Sequence, residues 1–286
     1  MNNSILLKKY LDESILITFN NKLKIRLSKE LLDNYSKGLY NGYLNNLTSC
    51  IDLVDTLSIE YPCGAKPIFY LYILPLDKGY LLDIPKPFDT KNGGGRPVRA
   101  YDLDSFNSAY GVTENICLRN EFPPYIKQNT IHELIHLVSS MFYNKDRYIN
   151  EGVAEAVSYY CFNYEDVFTT HRERLIDVKE EDIYTVKELL EQKEFGLLGI
   201  EGTNICTYRY SYISSYLFIA SILEHIKDKY NIDKKETAQV LFESLRSTPN
   251  YNRWLVDDLA NLIDMDSEEM YSTKKLQLEY LNKLKR

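Results

Sequence analysis

The segment that decides the reading of this chain is His132-Glu133-Leu134-Ile135-His136, followed a short way downstream by Asn150-Glu151-Gly152-Val153-Ala154-Glu155. A helix repeats about every 3.6 residues, so residues four apart share a face. His132 and His136 therefore point the same way, one turn apart, and as neutral imidazoles can bind one metal ion. Glu133 lies on the rim of that face, placed to take a proton from a metal-bound water rather than to ligate. The neighbouring residues predict the helix itself. Ile131, Leu134, Ile135, Val138 and Met141 form an apolar stripe turned away from the histidines, and Asn129 or Thr130 can cap its start.

A zinc site built for catalysis takes three protein ligands and keeps a fourth position for water. No cysteine lies near the histidine pair in sequence, so the third ligand is read as a carboxylate. Asn144-Lys145-Asp146-Arg147 is polar and turn-like. Asn150 then reads as the N-cap of a second helix carrying Ala154, Val157 and Ser158. Glu151, in its first turn, can face back onto the metal. Glu155 sits one turn further on the same face and suits the other role, holding the non-metal nitrogen of His132 or His136. Spacing alone leaves the reverse assignment open, with Glu155 as the ligand.

At these residues the chain resembles the gluzincin metallopeptidases, the class that includes thermolysin and aminopeptidase N. Asn-Glu-Gly-x-Ala-Glu at 150–155 is similar to the third-ligand helix of the aminopeptidase N family. The resemblance implies one zinc ion per chain, held by His132, His136 and Glu151. In the thermolysin branch a carboxylate four residues later orients the first histidine, which implies that role for Glu155. The gap from His136 to Glu151 is shorter than in either branch, which implies a tight connection. Upstream, Gly111-Val112-Thr113-Glu114-Asn115 is similar to the Gly-x-Met-Glu-Asn motif of the same aminopeptidases, with Thr113 in place of the usual Met. It implies that Glu114, with Asn115 beside it, binds the free amino terminus of a substrate. Ile116-Cys117-Leu118 can continue as an edge strand along which a peptide pairs. Downstream, Tyr208 to Phe218 resembles the gluzincin helix that delivers a transition-state tyrosine. Tyr212 is the first choice for that oxyanion donor, Tyr210 the second and Tyr216 the third. The resemblance covers roughly residues 105–230.

The fold implied is α+β: a small mixed sheet with an edge strand over the cleft, a zinc-binding active-site helix and a mostly helical C-terminal lobe, as in a thermolysin-like catalytic core. One unit over residues 1–286 is expected, with subdomains of about 1–145 and 146–286. The activity implied is hydrolysis of peptide bonds, as an aminopeptidase if Glu114 captures an amino terminus. Rival readings are a cytosolic regulatory protease cutting one protein partner, and a gluzincin-fold module that holds zinc without turnover.

Composition sets the outer bounds. A hydrophobic share of 44% and a charged share of 26% are those of a globular protein with a sizeable core. The net charge of −7 is spread along the chain, which argues against a nucleic-acid partner. Lys274, Lys275, Lys283, Lys285 and Arg286 make the last helix basic, read as a solvated face. No apolar run reaches a membrane span, and the first residues lack a signal peptide's order of charge then apolar core. Five cysteines (Cys50, Cys63, Cys117, Cys161, Cys206) show no metal-type spacing and read as reduced thiols of a cytoplasmic protein.

Along the chain, residues 5–20 alternate loosely and fit helix or strand, and 27–58 look helical. Pro67 to Pro75 brackets a buried strand. Asp89 to Arg99, with Gly93-Gly94-Gly95, reads as a mobile loop able to border the cleft. An edge strand is expected near 114–119. Helices are expected over 126–143, 149–162, 184–193, 211–229, 235–247, 253–264 and 267–284. His225 reads as structural, and His171 as a possible cleft residue.

Overall fold

Leu23 and Ile25 alternate with Lys24 and Arg26, and the period of two makes a strand with one buried face. In the computed structural model, which describes residues 13–21, 23–27, 41–57, 69–74, 95–99, 108–113, 131–132, 134–135, 147–162, 175, 177–191, 205–247 and 252–286, that strand is β2 (Leu23–Leu27). It pairs antiparallel with β1 (Ile15–Thr18), Ile17 opposite Ile25. Asn20 closes the hairpin, its side-chain oxygen accepting from the Leu23 N–H at 2.8 Å. Its amide nitrogen donates to Thr48 Oγ1 at 3.1 Å, tying the turn to helix α1 (Asn41–Asp55). Leu47, Cys50, Ile51 and Val54 make the buried stripe of α1. Residue 27, the expected start of a helix, instead ends β2, because its backbone is taken by the sheet.

The run between Pro67 and Pro75 forms β3 (Phe69–Leu74), parallel to β2. β5 (Ser108–Thr113) lies parallel to β3, and β4 (Gly95–Arg99) lies antiparallel on the outer side of β5. Among the described residues this is a five-stranded mixed sheet of order β1-β2-β3-β5-β4. It corrects one expectation. Residues 95–99 are strand, not loop, because β5 supplies hydrogen-bonding partners that the glycines do not reveal. Pro97, opposite Tyr110, is tolerated because β4 is an edge. The strand carrying Gly111-Val112-Thr113 is interior, and β1 and β4 are the outermost strands among the described residues; the edge strand expected near 114–119 lies outside the described residues.

The chain divides into two compact units, Met1–Asp52 with Glu60–Val138, and Leu53–Ile59 with Ser139–Arg286. Leu53–Ile59 belongs to the second unit, where the Leu57 carbonyl accepts from Gln239 Nε2 at 2.7 Å.

The described part of the second unit is helical, and with the sheet it makes the fold α+β. It comprises α2 (Arg147–Phe162), a 3₁₀ turn (Glu180–Asp182), α3 (Val186–Glu191), α4 (Ile205–Tyr230), α5 (Lys234–Ser247), α6 (Asn252–Leu262), α7 (Ser267–Ser272) and α8 (Lys275–Lys285). α4 is its axis. Leu217, Phe218, Ile219 and Ala220 are consecutive and all 0% exposed, which requires neighbours on every side. α2, α8, α5 and α3 supply them.

Local chemistry sets the helix ends. Asp233 accepts from the N–H groups of Lys235 and Glu236, and Glu236 accepts back from the Asp233 N–H, a reciprocal cap for α5. Thr185 and Glu188 do the same for α3. The single helix expected over 267–284 is two. Thr273 turns extended (φ −117°, ψ 167°), and its N–H and hydroxyl both bond the Glu269 carbonyl, ending α7.

The basic last helix is not merely a solvated face. Lys285 donates to the Val178 carbonyl at 2.6 Å, Lys274 to the Glu180 carbonyl at 3.2 Å, Lys275 to Glu269 at 2.9 Å, and Lys283 to Glu224. No helix among the described residues is long and apolar enough to cross a membrane.

Candidate functional site

His132 lies on a helical segment, 9% exposed, with Ile131, Leu134 and Ile135 buried beside it as the apolar stripe predicts. Glu133 and His136 lie outside the described residues, as do Glu114, Asn115 and His171. His132 belongs to the first unit; Glu151, Glu155, Tyr210, Tyr212 and Tyr216 belong to the second.

α2 begins at Arg147, so Asn150 is inside the helix and not its N-cap. Arg147, Tyr148 and Ile149 contain no glycine or proline to stop the helix, and the capping preference of Asn yields to continued helical geometry. Glu151 accordingly sits in the second turn. It is half-buried, as is Glu155 one turn on, and one Glu155 carboxylate oxygen is sealed from solvent. Val153, Ala154, Ala156 and Val157, all at 0% exposure, bury the rest of this stretch.

Gly152, between the two glutamates in sequence, is where α2 meets α4. A Cβ there would lie 2.8 Å from the Ser215 carbonyl oxygen, 2.9 Å from Ser215 Oγ and 3.1 Å from Ile219 Cγ1. Only a residue without a side chain permits this approach. Tyr212 lies one turn before Ser215 and shares its face of α4 with Ser215, Tyr216 and Ile219. Glu151 and Tyr212 are thus each within a turn of the same helix contact. Further along, Tyr159 meets Tyr216 and Tyr160 faces Glu224, so the contacts advance in the same sense on both helices.

The three tyrosines proposed for the oxyanion separate. Tyr212 is half-buried on the face toward Gly152. Tyr210 is two residues away, about 200° around the helix. Its carbonyl accepts from Ser214 Oγ at 2.7 Å, and that hydroxyl accepts from the Tyr184 N–H at 2.9 Å. Tyr216 is 2% exposed. Burial, then Tyr280, push its phenol well above the usual range, with Tyr159 and Glu155 adding to the shift. Its ring stacks edge-on against Tyr159 (5.7 Å) and Tyr280 (6.1 Å), the positions that sequence reasoning missed. Tyr280 lies too far along the chain for any local pattern to link it to Glu155.

Burial opposes ionisation of Glu224, but Lys283 and Tyr160 outweigh it and hold the carboxyl below its ordinary range. The buried Tyr160 hydroxyl faces Glu224 without reaching hydrogen-bond geometry. His225 Nδ1 lies 2.9 Å from the Ser221 carbonyl, a contact within α4 that accounts for it structurally.

Among the described residues, which leave out Glu133 and His136, no three His, Cys, Asp or Glu side chains gather as a metal-binding group. Neutral imidazoles and a carboxylate, the donor types of the expected set, are those that suit zinc. No protein-family model matches the chain, and a search of curated proteins finds no match.

Proposed function

We propose that the chain is a zinc-dependent metallopeptidase with a gluzincin-like, thermolysin-type catalytic core. The observation that carries the reading furthest is the close seat of Gly152 on Ser215, which draws together the Glu151 end of α2 and the Tyr212 region of α4. His132, His136 and Glu151 would hold the metal, and Glu155 would orient a histidine ligand. Bound zinc would polarise the scissile carbonyl and acidify the attacking water. Glu133 takes the proton from that water and delivers it to the leaving amine. Tyr212 donates its phenol to the oxyanion, and a half-buried hydroxyl suits that task better than the sealed one of Tyr216.

The edge open to an extended peptide in this reading is β4, whose outer side has no strand beside it among the described residues. Glu114 and Asn115, following β5 in sequence, would receive a substrate's amino terminus and bias cleavage to that end. We place the protein in the cytoplasm; Cys50 and Cys161, neither of them in a disulfide, fit a reducing compartment.

The test is Glu133→Gln, assayed by peptide-library digestion and metal analysis. Hydrolysis is abolished while zinc stays bound. Undiminished cleavage by that variant overturns the mechanism, and a zinc-loaded wild type that cuts no peptide favours a binding module.

A further inference from the structure

Residues 178–185 hold no regular structure beyond the 3₁₀ turn, and the backbone is extended on both sides of it, at Lys179 (φ −102°, ψ 166°) and Ile183 (φ −89°, ψ 134°). Such a strap has no ladder of its own to take up its main-chain groups. Val178, Ile183 and Val186 are all buried and draw it inward. Three of its carbonyls find donors at one helix. Lys285 of α8 reaches Val178, Gln277 reaches Tyr184 at 3.1 Å, and Lys274, at the α8 N-cap, reaches Glu180. α8 is in turn tied to α4 by Lys283 and Glu224.

Tyr184 is the node of this arrangement. Its carbonyl accepts from Gln277 Nε2, and its N–H donates to Ser214 Oγ at 2.9 Å. The Ser214 hydroxyl donates its one proton to the Tyr210 carbonyl at 2.7 Å. Three hydrogen bonds in series thus run from α8, through the main chain of Tyr184, to the 210–214 turn of α4. Gln277 is 1% exposed and Ser214 0%. Methionine and alanine would fill the same space without taking an amide or a hydroxyl out of water. The buried polar groups offset that cost through the bonds they make to Tyr184 and Tyr210.

The turn they reach is the one that carries Tyr212. Tyr210 lies two residues before it and Ser214 two residues after, so one side chain bonds both ends of the turn. A serine bonded to the carbonyl four residues back lets a helix bend locally. The Tyr184 N–H fixes the direction of that hydroxyl from outside the helix.

We propose that Ser214 is a positioning residue for Tyr212, locked by Gln277 of the C-terminal helix through the main chain of Tyr184; what Tyr212 does is taken from the metallopeptidase reading. Ser214 touches no reacting atom in this scheme. It holds the turn, the strap holds Ser214, and α8 holds the strap. The last helix of the chain is then part of the site's support, although it lies far from the metal motifs in sequence.

Two measurements on the full chain test this. Amide-resolved hydrogen exchange needs no activity. Gln277→Met removes the bond to the Tyr184 carbonyl but leaves the acceptors of two amides in place, Ser214 Oγ for Tyr184 and the Tyr210 carbonyl for Ser214. Both amides are expected to exchange about 10-fold faster in that variant. An unchanged rate at either overturns the proposal. Peptide hydrolysis gives the second measurement. Gln277→Met and Ser214→Ala each lower kcat about 10-fold with KM unchanged, because an oxyanion donor acts in the transition state. Neither lowers kcat further in a Tyr212→Phe background. Losses that add to that of Tyr212→Phe overturn the proposal. So does an equal loss in Gln239→Met, which gives up a comparable bond to the Leu57 carbonyl. If Ser214→Ala does not fold, Gln277→Met carries both measurements. A wild type that cuts no peptide but shows the coupled exchange removes the peptidase reading and leaves the lock on the 210–214 turn standing.

Discussion

Gly152→Ala sets two known effects against each other at one atom. Alanine is the better helix former by about 1 kcal/mol, so an exposed helical site would gain stability from the change. Here the added methyl carbon would sit 2.8 Å from the Ser215 carbonyl oxygen, 2.9 Å from Ser215 Oγ and 3.1 Å from Ile219 Cγ1. Carbon atoms at rest lie about 3.5–4.0 Å apart, so the first contact is deeply repulsive. It is also with backbone, in the middle of α4, where the atom cannot swing aside as a side chain would. Forcing an extra carbon into such a packed site costs about 1–3 kcal/mol. Because the nearest contact is backbone that cannot swing aside, the overpacking cost lies in the upper part of that range, about 2–3 kcal/mol, leaving a net loss of about 1–2 kcal/mol. At about 2–4 °C per kcal/mol, the melting temperature falls by about 2–8 °C. Thermal unfolding followed by circular dichroism reads this directly. Adding Ser215→Ala removes the 2.9 Å contact but not the 2.8 Å one, so the double variant recovers only part of the loss. A melting temperature unchanged or raised by Gly152→Ala would refute the close helix seat, and with it the support for placing Glu151 and Tyr212 at one site.

Two further outcomes follow from charge and burial. The folded pKa of Glu224 is depressed, so its contribution is present above the ordinary glutamate range near pH 4.3 and is lost as pH falls through the lower folded value. Melting curves of wild type and Glu224→Gln should therefore differ at neutral pH and converge in acid; parallel curves would show that the Lys283 pairing contributes nothing. Burial pushes the Cys161 thiol up to about 12, and the thiol donates to the Lys234 carbonyl at 3.3 Å, so native protein at pH 8 should label at Cys161 with iodoacetamide far more slowly than denatured protein. Peptide mapping checks this, and rapid modification under native conditions would count against the burial.

The helices were legible because an apolar stripe is local information. Leu47, Cys50, Ile51 and Val54, or Leu241, Phe242 and Leu245, announce their buried faces within a few turns of chain. β4 was hidden for the opposite reason. Gly93-Gly94-Gly95 and Pro97 carry turn and breaker signals, and Gly95–Arg99 becomes strand only because β5 supplies the other half of each hydrogen bond. Likewise the extended backbone at Thr273 that splits α7 from α8 leaves no mark in the periodicity.

The candidate site divides along the same line. That His132 shares a helix face with His136, and Glu151 with Glu155, follows from the helical repeat and needs nothing but the sequence. Which tyrosine is half-buried beside Gly152, and which is sealed against Tyr280, depends on how α2, α4 and α8 pack. Spacing along one helix is set by backbone hydrogen bonds between near neighbours. The company a side chain keeps is set by surfaces brought together from distant parts of the chain, and no local pattern encodes that choice.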